Sequence, residues 1–305
     1  MTLDYTSALK EVIRRLVGIG EMPRHIELSK VGRRYWCSAY DDPGPGSISE
    51  KVFTGMADYK ELAVLKALSE RAERLAFWDG AKVDQESCRT ERSDGFAALP
   101  HFYAAPERLR DIAFNEALER FVWASWWDDE SLKFERRLLD GRLLDGSGLD
   151  TLRQIQLEAE VRNIYVITPM VEGVPDKVVT ILFGELNSGG FISGGASGET
   201  ANPSETVMRG LDELFRHGMA LKKLNASRHE HLSFYEKRLA YFGNGQGSAL
   251  VFKRLFATGA NALSLPSLTI DEGVPSRFTD VFDVHRCYFE NQPPFVGGRM
   301  ERLCL

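Results

Sequence analysis

Two short stretches of the chain repeat one arrangement of charge. Ser69-Glu70-Arg71-Ala72-Glu73-Arg74-Leu75 and Asn115-Glu116-Ala117-Leu118-Glu119-Arg120-Phe121 both place E-x-x-E-R after a Ser or Asn and before an apolar residue. In a helix, carboxylates at i and i+3 stack one turn apart on a single face. Like charges so placed repel by roughly a few tenths of a kcal/mol unless a cation or an arginine lies between them. Two readings follow. The pairs are either solvated helix faces with local Glu–Arg ion pairs, or together a four-carboxylate site for hard, oxygen-seeking cations. The second reading makes Glu70, Glu73, Glu116 and Glu119 metal ligands, most often for Mg²⁺ together with nucleotide phosphates. A di-iron bundle also pairs helical carboxylates, but it wants Glu-x-x-His, and neither copy has a histidine at the partner position. Magnesium fits better.

Apolar spacing predicts the elements that must position these groups. Leu62, Leu65, Leu68, Ala72 and Leu75 form one face of a helix from Ala57 to Trp78, which carries the first pair. Pro106 suits a first helical turn and opens a helix through Trp127, which carries the second. Trp123, Trp126 and Trp127 recur at helical spacing and read as core rather than as a stacking platform. Leu9, Val12, Ile13 and Leu16 predict a helix from Thr6 to Val17, closed by Gly18 and Gly20. Strands are expected at Ile26–Leu28 and Tyr35–Ala39 around Gly32, and at Tyr165–Pro169, Val178–Phe183 and Val281–Phe289. Asp41–Gly46 and the Gly/Ser-rich stretch Asn187–Gly198 read as loops. The latter leads into a helix from Pro203 to Leu224, followed by another from Glu230 to Tyr241. Helices and strands mix without βαβ regularity, which predicts an α+β fold: a mixed, mostly antiparallel sheet packed with helices. No Pro/Ser-rich linker divides the chain, so a single domain over residues 1–305 is expected.

Composition removes several function classes. With 305 residues, 43% hydrophobic and 27% charged, the chain is neither disordered nor fibrous. The 38 Lys and Arg against 44 Asp and Glu leave −6, which gives no basic footprint for nucleic acid or anionic membrane. No apolar run approaches the ~18–20 residues of a spanning helix. Glu11, Arg14 and Arg15 interrupt the N-terminal stretch, so it has no signal-peptide core and a cytoplasmic location is expected. Cys37, Cys88, Cys287 and Cys304 are far apart with no C-x-x-C, which suits reduced thiols better than a disulfide frame or a zinc site. Arg228-His229-Glu230-His231 lacks H-E-x-x-H spacing, and the glycines of Gly243–Gly247 lack a phosphate-loop lysine; both read as ordinary local structure. No G-x-S-x-G elbow is present, and no catalytic nucleophile is assigned.

The carboxylate motifs sit among further patterns. Asp94-Gly95-Phe96-Ala97-Ala98 followed by Asn115–Arg120 resembles the signature of the YcaO family, an N-G-x-A-A turn feeding an A-L-x-E-x-x-E-R helix. Glu70-x-x-Glu73-Arg74 is similar to that family's first carboxylate motif. Gly195-Ala196-Ser197-Gly198, then Pro203 and the helix with Glu213, resembles its third block. Val284-His285-Arg286 and Gln292-Pro293-Pro294 resemble its closing strand and proline turn. The likeness runs from about Ser49 to the C-terminus.

The resemblance implies an ATP- and Mg²⁺-dependent enzyme that phosphorylates a peptide amide oxygen after a nucleophile attacks the carbonyl. Most directly it implies a cyclodehydratase subunit forming thiazoline or oxazoline rings in a ribosomally made precursor peptide. Such chemistry needs charge neutralisation and positioning more than covalent help from protein. Carried over, Glu70, Glu73, Glu116 and Glu119 hold Mg²⁺, while Arg74, Arg120 and Glu213 serve the nucleotide. Five positions depart from the family pattern: Met56 replaces a lysine, Lys66 a serine, Ala104 and Arg108 an asparagine and a glutamate, and Asp94 the asparagine of the signature turn. These departures keep two alternatives open, a partner-binding scaffold without ATP turnover, and another backbone-amide reaction such as thioamide or amidine formation. Residues 1–48 are too few for a leader-binding module of roughly 80–90 residues. Peptide capture is therefore expected on a separate leader-recognition protein, docked on the exposed side of the Leu9–Leu16 helix or on Trp123–Trp127. Azole formation would need a separate flavin-dependent dehydrogenase, since no dinucleotide fingerprint occurs.

Overall fold

A computed structural model describes residues 4–41, 52–83, 94–103, 105–226, 232–295 and 299–303. In chain order the elements are α1 Tyr5–Gly18, β1 His25–Val31, β2 Arg34–Tyr40, β3 Val52–Ala57, α2 Lys60–Val83, β4 Gly95–Pro100 and α3 Pro106–Asp128. Then come β5 Phe134–Leu138, α4 Gly146–Glu158, β6 Val161–Pro169, β7 Val171–Glu172, β8 Lys177–Leu186, β9 Phe191–Glu199 and α5 Pro203–Ala226. The chain closes with α6 Phe234–Gly243, α7 Ser248–Leu255, β10 Leu263–Ser264, β11 Leu268–Gly273 and β12 Phe282–Phe289. The predicted α+β class holds, and among the described residues the pairs β1–β2, β2–β3, β12–β4, β5–β6, β6–β8 and β8–β9 are antiparallel and the short β10–β7 pair is parallel. Among the described residues no helix is long and apolar enough to cross a membrane.

Contacts divide the chain into two compact units, each discontinuous in sequence. The first comprises Met1–Arg89, Gly95–Phe114 and Thr269–Tyr288. Its strands form two three-stranded sheets, β1-β2-β3 and β11-β12-β4. Asp4 caps α1 by accepting from the Thr6 and Ser7 amides, and Ala8, Val12 and Leu16 turn the apolar stripe of that helix inward. One core joins this stripe to Ala63, Leu65, Leu68, Ala72 and Phe77 of α2 and to Phe282 and Val284 of β12. The helix expected from Ala57 begins only at Lys60, because Val52–Ala57 pairs with β2 as β3. Gly55 marks where strand and helix meet: a Cβ there would lie 2.1 Å from the Ala63 carbonyl oxygen. The Asp94–Ala98 stretch, expected as a turn, is mostly strand: Gly95–Pro100 pairs with β12 as β4.

The second unit comprises Thr90–Asp94, Asn115–Leu268 and Phe289–Leu305. Its four-stranded sheet runs β5-β6-β8-β9. The Gly/Ser-rich stretch expected as a loop from Asn187 to Gly198 is instead a tight turn followed by β9, paired along its length with β8. Its glycines are explained by neighbours. A Cβ on Gly194 would lie 2.5 Å from the Gly210 carbonyl oxygen of α5, and one on Gly198 would lie 2.5 Å from Thr206 Oγ1. Trp123 and Trp126 are fully buried against Phe183 and belong to the core, whereas Trp127 is half-buried. The helix expected from Glu230 starts at Phe234, fixed by a capping box between Ser233 and Glu236. Residues 244–247 form a plain turn, with Gly245 at φ +86°. Asp42–Gly46, Ala104, Arg228–His231, Cys88 and Cys304 lie outside the described residues.

Candidate functional site

In the first unit the carboxylate pair lies on α2. Glu70 is largely buried, and its Oε2 accepts from the Thr54 backbone N–H of β3 at 2.6 Å. Its Oε1 pairs with Arg74 one turn on, and the Arg74 guanidinium lies 5.9 Å from the Phe53 ring. Glu73 is half-buried on the same helix. The E-x-x-x-R spacing thus works as an ion pair that aims Glu70, and strand β3 supplies a donor that no motif announced. Lys66, where the family has serine, donates from Nζ to the Met56 carbonyl at 3.0 Å.

The second unit carries the stronger cluster. Glu116 pairs with Arg120 at i+4. Arg120 also donates to the Asp94 carbonyl just before β4, and it sits 5.9 Å from the Phe295 ring. Thus Arg120 holds both Glu116 and the Asp94 carbonyl. Glu213, on α5, accepts from the Gly195 N–H of β9 at 2.7 Å and from Arg216 at 2.9 Å. Arg209 donates to the Ser197 carbonyl at 2.9 Å. Ser197 is fully buried, and its hydroxyl donates to the Asn115 carbonyl at 2.5 Å. Gln292, in the proline turn, donates to the Ala117 carbonyl at 3.3 Å and accepts from the Phe289 N–H at 3.0 Å.

Glu119 is the electrostatic centre of this cluster. Its carboxyl is pushed up from the usual carboxylate range to about 8. Desolvation is the largest cause and the Glu213 carboxylate the next; Arg209 partly offsets them, and Glu116 adds to them. Gly195 makes room for this arrangement, since a Cβ there would lie 2.6 Å from the Trp123 ring and 3.0 Å from Glu119 Oε1. Glu116, Glu119 and Glu213 therefore form an oxygen-only donor set in which Glu119 is desolvated, with Arg120, Arg209 and Arg216 beside it. That is the donor chemistry a hard divalent cation selects.

The sequence-predicted residues fall into two sets. Glu70, Glu73 and Arg74 belong to the first unit, and Glu116, Glu119, Arg120 and Glu213 to the second. The sequence reading missed Thr54, Arg209, Arg216 and the Gly195 amide. Arg209 and Arg216 were accessible in principle, because they flank Glu213 at i−4 and i+3 on one helical face. The Thr54 and Gly195 amides carry no side-chain signal at all.

No family model matches the sequence, and a search of curated proteins finds no match. Among solved structures the chain is similar to YcaO from Methanopyrus kandleri, determined with AMPPCP and Mg²⁺ bound. The match covers 97% of this chain and 96% of that one, with a TM-score of 0.53 and 13% sequence identity. At that identity the likeness is one of backbone architecture. The chain has the YcaO fold.

Proposed function

We propose that this chain is an ATP- and Mg²⁺-dependent enzyme of the YcaO kind, acting in the cytoplasm on peptide backbone amides. Within that class we assign it as the cyclodehydratase subunit that forms azoline rings in a ribosomally made precursor peptide. The observation that carries the reading is the crowding of Glu119 by Glu213 and Glu116, in a fold whose Methanopyrus kandleri example binds AMPPCP and Mg²⁺. Glu70 and Glu73 in the first unit and Glu116 and Glu119 in the second are the proposed Mg²⁺ ligands. When bound, Mg²⁺ neutralises the triphosphate and favours transfer of its terminal phosphoryl group to an amide oxygen. The protein's own part is positional. Arg74 and Arg120 hold Glu70 and Glu116 at fixed rotamers, and their positive charge would help to neutralise a bound nucleotide. The Gly195 amide and Arg216 fix Glu213.

Replacing Glu116 by Gln keeps the shape and removes the charge. Glu116→Gln is expected to abolish peptide-stimulated ATP turnover with an unchanged circular dichroism spectrum. ATP hydrolysis by that variant at the wild-type rate would sink the assignment.

One observation favours a second reading, a scaffold that binds partner or peptide without turning over ATP. The Lys66 amine is tied to the Met56 carbonyl on β3, at two positions where the family has nucleotide contacts. Titration calorimetry with MgATP separates the two, since absence of binding both alone and with partner favours the scaffold. The proposal also includes a separate leader-recognition protein and, where azoles are made, a flavin-dependent dehydrogenase.

A further inference from the structure

Away from these carboxylates, the first unit brings three metal-ligating side chains together on adjacent strands. His285 and Cys287 alternate onto one face of β12, and Asp271 stands beside them on β11. Asp271 Oδ1 lies 2.8 Å from His285 Nε2 and 3.8 Å from Cys287 Sγ. The three ligand atoms all lie within 4.8 Å of one another. We infer that Asp271, His285 and Cys287 form a binding site for a borderline-soft divalent transition metal, of the Zn²⁺ class.

The geometry argues against the competing Cys-His-Asp relay. In a relay the thiol would face the imidazole, whereas here thiol and imidazole both point at one carboxylate oxygen. Cys287 is fully buried, so no electrophilic substrate reaches its sulfur. The three ligand atoms are instead close enough together for one ion to reach all of them. Zinc bonds of about 2.0–2.3 Å to N, O and S place tetrahedral ligands roughly 3.3–3.7 Å apart, which the present separations bracket. Thiolate and imidazole select Zn²⁺ or Co²⁺ over Mg²⁺, so this site and the carboxylate cluster call for different metals. Arg110 completes the surroundings, with Nη2 at 2.6 Å from Asp271 Oδ2 and Nε at 2.9 Å from Oδ1. It orients the carboxylate from outside, as supporting residues of metal sites do. The half-buried His285 and exposed Asp271 leave a solvent side for a water as fourth ligand. Strand β11 gains most from such a clasp: it is the edge of its sheet and none of its residues is buried.

The test uses the full-length protein, stripped with a chelator and without nucleotide. Titration with Co²⁺ is expected to develop a thiolate-to-cobalt charge-transfer band at one equivalent, bleached by Zn²⁺ and untouched by excess Mg²⁺. Affinity is expected to fall about tenfold or more in His285→Gln and about 10-fold in Arg110→Met. The band should vanish in Cys287→Ala and persist in Glu116→Gln, which separates this site from the proposed magnesium ligands. Absence of the band in folded wild-type protein overturns the inference, as does an unchanged band in Cys287→Ala. Should Cys287→Ala fail to fold, an unchanged affinity in His285→Gln and Asp271→Asn, with circular dichroism matching wild type, overturns it equally.

Discussion

Glu119→Gln tests the electrostatics of the carboxylate cluster directly. In metal-free protein, burial and then the Glu213 carboxylate push the Glu119 carboxyl up to about 8, so the folded state retains this proton at pH values where the unfolded chain, at the ordinary glutamate value of 4.5, releases it. Between those values the native state binds more protons than the unfolded state, so stability falls as pH rises and levels off above the folded value. The interval from 4.5 to 8, at about 1.4 kcal/mol per pH unit, sets a ceiling of about 5 kcal/mol on that loss. Glutamine keeps the side-chain shape and removes the titrating proton. In chelator, denaturant unfolding of wild type from about pH 5 to about pH 9 should therefore lose stability, whereas Glu119→Gln should be nearly flat. Mg²⁺ at the alkaline end should restore wild type and leave the variant unmoved. An equal pH slope in both proteins would falsify the desolvated placement of Glu119 beside Glu213 and Glu116.

Four further outcomes follow. Gly195→Ala should cost about 1–3 kcal/mol by overpacking against Trp123, and should weaken Mg²⁺-dependent stabilisation; an unchanged melting temperature contradicts the close approach. Trp126→Ala should cost about 3–5 kcal/mol in denaturant unfolding, whereas a docking residue would leave stability untouched. Burial pushes the Cys37 thiol up to about 11, so mass mapping after alkylation near neutral pH should find it unmodified in native protein and modified after unfolding. The purified chain with precursor peptide and MgATP should remove no water from the peptide until a leader-binding partner is added; efficient ring formation by the chain alone refutes the partner requirement.

Of the helices that carry the carboxylates, α2 was legible because its apolar face leaves a periodic trace, and α3 because Pro106 marks its first turn. Leu62 to Leu75 and the segment opened by Pro106 each span several turns, so errors of a few residues at the ends did not matter. Strand β9 was illegible for the opposite reason. Glycine and serine argue against a strand by propensity, yet the backbone of α5 and the ring of Trp123 approach so closely that only glycine fits. Strand β3 was hidden by the same effect at Gly55. At the site, Glu116 with Arg120 and Glu70 with Arg74 announced themselves by spacing, whereas the partnership of Glu119 with Glu213 spans 94 positions and leaves no local signal. The Asp271, His285 and Cys287 group was invisible too, because strand pairing rather than a C-x-x-C motif assembles it.

Gly195 has a genetic consequence. Any single-base change in a glycine codon that alters the amino acid must add a side chain, since no other residue lacks a Cβ. At this position every such side chain would intrude on the Trp123 ring and on the oxygen of Glu119, while the amide that holds Glu213 stays in place. A saturation library selected for activity should therefore show intolerance at a residue with no functional group, as severe as at the glutamates themselves. Drift along this strand is closed to point mutation unless the tryptophan shrinks first, so the two positions should change together or not at all.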